Sequence, residues 1–105
     1  MSKTARLALA TEIKSQINPM ELCAIGATQY VAIAPSDKYS GGLQFNASFF
    51  GRKNCKVIIL LDPSDTYHVA VYAGRNLRYV GGAKDVYAED LTGVIVEKVE
   101  TFFKS

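Results

Sequence analysis

Apolar residues recur along the first 17 positions at the helical spacing. Ala5, Leu9, Ile13 and Ile17 fall four apart, with Leu7 alongside, and make one apolar stripe on a helix over residues 3–17. Asn18-Pro19-Met20-Glu21 then restarts the pattern. Asn is a good N-cap, Pro is pre-set for the first helical position, and Glu21 is placed to answer the cap's amide. The spacing therefore predicts a long helix, a kink, and a short second helix from Pro19 to Ile25, ended by Gly26.

From Thr28 onward the period changes from about four to two. Thr28 to Ala34 reads as the first strand. Leu43, Phe45, Ala47 and Phe49 alternate with Gln44, Asn46 and Ser48, the signature of a half-buried strand. Cys55 to Leu61 is apolar without alternation, which predicts a central strand. Tyr67, Val69 and Val71 alternate with His68, Ala70 and Tyr72, and Leu77 to Val80 makes a last strand before Gly81-Gly82. Between these lie turn clusters: Gly51-Arg52-Lys53-Asn54, Asp62-Pro63-Ser64-Asp65 and Gly74-Arg75-Asn76. Asp85 stands as the cap of a final helix, on which Tyr87, Leu91, Ile95, Val99 and Phe102 share a face. Gly93 inside that helix costs about 1 kcal/mol relative to Ala, and a close approach to the sheet would explain it.

Strands between flanking helices predict a single α+β domain over residues 1–105. Its two layers are an antiparallel meander of four to five strands and a set of helices packed on one sheet face. The gap from Pro35 to Gly42 is the weakest link in that topology. In a meander the tips alternate between the two ends of the sheet. Tips 51–54 and 74–76 share one end and gather Arg52, Lys53 and Arg75, with Arg78 nearby; loops 35–42 and 62–65 share the other and gather Asp37, Asp62 and Asp65.

Charge sharpens this picture. The chain as a whole carries +2, which by itself demands neither nucleic acid nor membrane as partner. Residues 51–84 carry a net +4 and residues 85–105 a net −3, so local fields are stronger than the total suggests. The longest apolar run, Val57 to Leu61, is far short of the roughly 20 residues that span a bilayer. The opening Met1-Ser2-Lys3-Thr4-Ala5-Arg6 lacks a secretory h-region, so the expected site of action is a cytoplasm. Cys23 and Cys55 are isolated, and both are expected as buried free thiols in a reducing compartment.

Few chemistries fit these residues. Zinc needs closely spaced Cys and His, and the chain has two Cys and one His in all. The sequence has neither GxxxxGK[ST] nor GxGxxG to cradle phosphate, nor the GxSxG nucleophile elbow. No metal or cofactor is expected, and no catalytic residue is assigned. His68, pointing opposite Val69 and Val71, is expected on the exposed sheet face or partnered there with Tyr72; a Cys55–His68 dyad is the catalytic alternative. The second sheet face bears Gln44, Asn46, Ser48, His68 and Tyr72, and Tyr and Arg on such a face suit interface anchors. The candidate binding residues are thus Arg52, Lys53, Arg75, Arg78, Tyr72 and His68.

Ile25-Gly26-Ala27, Leu43-Gln44-Phe45, the Asp-x-Tyr-x-Val stretch at 65–69 and the Val-Tyr-Ala-x-x-Leu stretch at 86–91 resemble a family of small bacteriophage and mobile-element proteins. The resemblance runs from about residue 7 to residue 100 and departs from the family at 35–42. It implies an accessory protein acting in the cytoplasm of a bacterial host by binding, such as an inhibitor of host enzymes or defence systems. The expected partner is a host or phage protein. Nucleic acid, held by the basic hairpin end and aromatic sheet residues, is the alternative, and an edge strand (28–34 or 77–80) offers a route to a homodimer.

Overall fold

The computed structural model describes residues 3–49, 53–74 and 76–104. Two helices, α1 (Lys3–Ser15) and α2 (Pro19–Ala24), precede five strands, β1 (Thr28–Ile33), β2 (Gly42–Phe49), β3 (Lys53–Leu61), β4 (Tyr67–Ala73) and β5 (Arg78–Val86). A single 3-10 turn over Ala88–Asp90 leads into α3 (Leu91–Lys104). The strands form one antiparallel sheet in the order β1-β2-β3-β4-β5, a plain meander. α1 packs under β1 and β2 and α3 under β4 and β5, and Leu22 of α2 joins the core they share.

The core follows from the two periodicities. Leu43, Phe45 and Ala47 of β2, Cys55, Val57 and Ile59 of β3, and Tyr67, Val69 and Val71 of β4 point to the helices and are buried. Ile13 and Ile17 meet them from the first helical segment, and Leu91, Ile95 and Val99 from α3. Those last three are fully buried, and such a side chain contributes about 1.5–3 kcal/mol each through removal from water.

The junction between α1 and α2 is capped as its residues suggest, with one change of partner. Asn18 accepts a hydrogen bond from the Met20 amide at 2.9 Å. Its own amide, however, donates to Thr92 Oγ1 at 3.0 Å, not to Glu21. The kink is thereby tied across the core to the start of α3. Cys23 is exposed, contrary to the expectation of two buried thiols. A helix of six residues has one inward face, and Leu22 occupies it.

The largest departure lies at the chain's far end. The last strand does not stop at Gly81-Gly82 but continues through them to Val86, and Asp85 is a strand residue with φ of 55° rather than a helix cap. The glycine doublet serves pairing. A Cβ on Gly82 would run into the Val69 carbonyl oxygen of the neighbouring strand and lie 2.8 Å from the Tyr79 hydroxyl, so only glycine lets β5 approach β4 this closely. Register breaks flank this stretch and interrupt the ladder between β4 and β5. Tyr87 is accordingly exposed and outside α3. Gly93 is in α3, but a Cβ there would meet no atom within 4 Å, so close packing does not account for it.

Candidate docking face

With the helices on one side, no helix among the described residues covers the other side of the sheet. Its residues follow from the strand registers. One row runs Ile33, Gly42, Leu60, His68. The next runs Val31, Gln44, Ile58, Ala70, Gly82, and a third runs Thr28, Asn46, Lys56, Tyr72, Tyr79. Four inter-strand steps make this face about 19 Å wide.

Its centre is apolar. Val31 is 51% exposed, and Ile58, Leu60 and Ala70 are half-buried by their neighbours alone. Around them stand amides and aromatic rings. Tyr72 and Tyr79 meet edge to face, with ring centroids 5.6 Å apart and planes at 68°. Tyr79 is 59% exposed, and its hydroxyl reaches over Gly82, where the missing Cβ leaves room for it. Asn46 donates a side-chain hydrogen bond to the Gln29 amide oxygen, which orders the polar end of the face. A shallow hollow of about 450 Å³ opens there, lined in part by Gln29, Asn46, Ser48, Asn54 and Lys56.

At the opposite end the long loop folds back onto the sheet. Ser40 donates to the Leu61 carbonyl and the Leu61 amide to Gly41, which anchors the loop beside β3. Tyr39 thereby reaches His68: its hydroxyl and His68 Nδ1 share a hydrogen bond of 2.7 Å, the donor following from the imidazole tautomer. Tyr39, not Tyr72, is the histidine's partner, because four residues along a strand separate His68 from Tyr72 by about 13 Å. A hollow of about 230 Å³ beside this pair is lined by Lys38, Asp62, Thr66, Lys84 and Asp85 as well. The Asp62 carboxyl is held below the usual carboxylate range, chiefly by the Ser64 amide that donates to it at 3.0 Å.

The candidate binding residues separate by face. His68 and Tyr72 lie on the open side. Lys53 pairs with Phe49 and Arg78 with Ala73, which are helix-side positions; Lys53 reaches down to the Phe102 carbonyl of α3 at 3.4 Å and to that residue's ring. Arg52 and Arg75 lie outside the described residues. The two tips themselves do share one end, as the meander requires, for Gly74 donates to the Asn54 carbonyl at 3.0 Å.

Cys55 and His68 fall on opposite faces of the sheet, so a thiol–imidazole pair does not form. Burial instead pushes the Cys55 thiol up to about 11. Among the described residues no group of three or more His, Cys, Asp or Glu comes together in a way that could hold a metal ion. Also among them, no helix is long and apolar enough to cross a membrane.

The composition of the open face depends on residues that sequence reading passed over. Ile58 and Leu60 were legible in one respect: a strand apolar on both sides, in a sheet with helices on one side, must present apolar groups outward. Tyr39 is legible as one of the aromatic candidates for the sheet face, but its pairing with His68 is not, since that depends on how an eight-residue gap closes. No protein-family model, curated protein or solved structure matches the chain.

Proposed function

We propose that this chain is a binding module without a reaction of its own, and that its open sheet face docks a protein. The observation that carries the reading is the apolar centre formed by Ile58, Leu60 and Ala70, with Val31 exposed at the β1 edge, within a border of aromatic and amide side chains. Protein interfaces combine these parts: an apolar middle that loses its water, Tyr anchors, and a polar rim. Lys56 is the one Lys or Arg in the three rows, so the centre of the face is short of the charges that interface cores exclude. The resemblance to small phage proteins supports a partner in the cytoplasm of a bacterial host, such as a host enzyme or defence component.

The test is capture from bacterial lysate by the folded chain, followed by titration of the captured protein. Tyr79→Ala, which removes a border ring, and Ile58→Lys, which puts a charge in the apolar centre, are each checked for native circular dichroism and expected to weaken the complex by about 30-fold or more. Failure to retain any protein specifically, or equal affinity in both variants, overturns the reading.

A second reading, single-stranded nucleic acid, rests on the row Lys56, Tyr72, Tyr79, which sets a cation beside two rings. It requires affinity that falls steeply with salt for all sequences alike. Absence of a shift of labelled DNA or RNA at low salt ends it.

A further inference from the structure

The two edges of the sheet differ in how they meet water. An edge strand presents alternate N–H and C=O groups outward, and proteins usually blunt it with charge, proline or bulges. β5 is blunted in this way: it carries Arg78, Lys84 and Asp85 and breaks register with β4 twice. β1 is Thr-Gln-Tyr-Val-Ala-Ile, with neither a charge nor a proline. Its one irregularity is confined to its start, where Gln29 has φ of 56°. From Val31 to Ile33 it pairs regularly with β2 and leaves its other side open.

Apolar groups flank that side above and below. Val31 is 51% exposed on the open face, and Leu7 of α1 is 51% exposed on the helix side. Between α1 and β1 lies a groove of about 190 Å³, lined in part by Leu7, Ala10, Thr11, Tyr30 and Leu43. Lys14 lines the same groove, its Nζ 4.0 Å from the centre of the Tyr30 ring, which holds that charge against the aromatic face.

We infer that two copies of this chain pair antiparallel through β1, each Leu7 and Val31 covering the other's groove. A second copy fits because the edge is uncharged, so a two-fold axis brings no like charges together on the strand, and because the same patch serves both partners. The area agrees with a reversible dimer. The three regularly paired residues, with the groove closed, cover on the order of 500 Å² per copy, less than the roughly 800 Å² of a standard interface. The joined sheet has ten strands, and the two open faces become one surface about twice as wide. The inference extends the docking reading and shares Val31 with it; the unpaired side of β1, Leu7 and the groove between α1 and β1 belong to the inference alone.

Sedimentation equilibrium over a range of concentrations tests it. The wild-type chain is expected to pass from monomer to dimer at tens of micromolar, to order of magnitude. Val31→Lys shifts that midpoint by about tenfold or more towards monomer, through a charge on the edge. Leu7→Glu does the same from the helix side without touching the sheet, which guards against a folding defect in the first variant. Lys84→Glu, exposed on β5 at the opposite edge, leaves the midpoint unchanged. A monomer at about 1 mM, or a dimer that survives both Val31→Lys and Leu7→Glu, overturns the inference. A dimer broken by Lys84→Glu does so too. None of these results bears on whether Tyr79→Ala and Ile58→Lys weaken a captured partner, so the two proposals fail separately.

Discussion

Replacing Gly93 by alanine is expected to stabilise the fold. Gly93 is the third residue of α3, is exposed, and has room for a Cβ that would meet no atom within 4 Å. Its backbone is helical and is not among the left-handed positions of the chain. Glycine therefore contributes nothing sterically here and leaves the unfolded chain more freedom to lose. The gain in a helix interior is about 1 kcal/mol, and in the first turn, where fewer helical bonds depend on the residue, about 0.5 kcal/mol. Unfolding entropies near 2.1 cal/mol/K per residue give this 105-residue chain about 0.2 kcal/mol per degree, so Tm rises by about 2–5 °C. Thermal melts followed at 222 nm, with urea titrations showing an unchanged slope, measure it. Serine should fall between glycine and alanine, following helix propensity. An alanine variant no more stable than wild type refutes the argument, because it would mean that Gly93 supports a contact or a backbone shape that a Cβ disturbs.

Three further outcomes are expected. A thiol reagent should modify exposed Cys23 at once and Cys55 only on unfolding; mass spectrometry of the two peptides distinguishes them. Because burial raises the Cys55 thiol to about 11, its contribution is present at neutral pH and is lost as pH rises through that value, and Cys55→Ala should flatten this alkaline slope in urea titrations. Asp62 is the opposite case: its lowered carboxyl contributes above the ordinary carboxylate value and loses its effect as pH falls through the lower folded value. Asp62→Asn keeps an oxygen for the Ser64 amide but removes that acid dependence, as melts below pH 5 should show. Finally, Ile95→Ala in the fully buried stripe of α3 should cost about 2–5 kcal/mol, against less than about 0.5 kcal/mol for Leu7→Ala if that chain is measured dilute, as a monomer.

What the residues disclosed, and what they withheld, divides along physical lines. Local rules were legible: the Asn18-Pro19 cap, the left-handed Gly26, and the turn in which Asp62 accepts from the Ser64 amide and its carbonyl from Asp65. The two-residue period of β2 and β4 fixed which side chains enter the core. Long-range partners were not legible. Asn18 donates its amide hydrogen to Thr92, 74 positions away, and His68 takes Tyr39 from a loop whose closure no local pattern dictates. Gly81-Gly82 misled for a related reason. Two glycines read as a strand exit when only neighbours along the chain are considered, yet here Gly82 answers the backbone of β4 across the sheet.

The same contrast bears on what the open face is for. A lone two-layer fold needs one apolar face per sheet, and β2 and β4 obey this by placing Gln44, Asn46, His68 and Tyr72 outward. β3 does not: it is apolar on both sides, with Val57 and Ile59 under the helices and Ile58 and Leu60 outside. Folding of the isolated chain places no such demand on the outward pair, since Lys56 occupies the equivalent outward position in the same strand. Burial of Ile58 and Leu60 is completed only when something else removes their remaining surface from water, which is where the stabilisation of about 25 cal/mol per Å² would be gained. A glycine that draws β5 in under the Tyr79 hydroxyl, and a loop that sets Tyr39 against His68, place rings at two borders of that apolar strip. On the docking reading proposed above, these features would serve contact, and the absence of any demand for them from the core is the physical reason to test for a partner there.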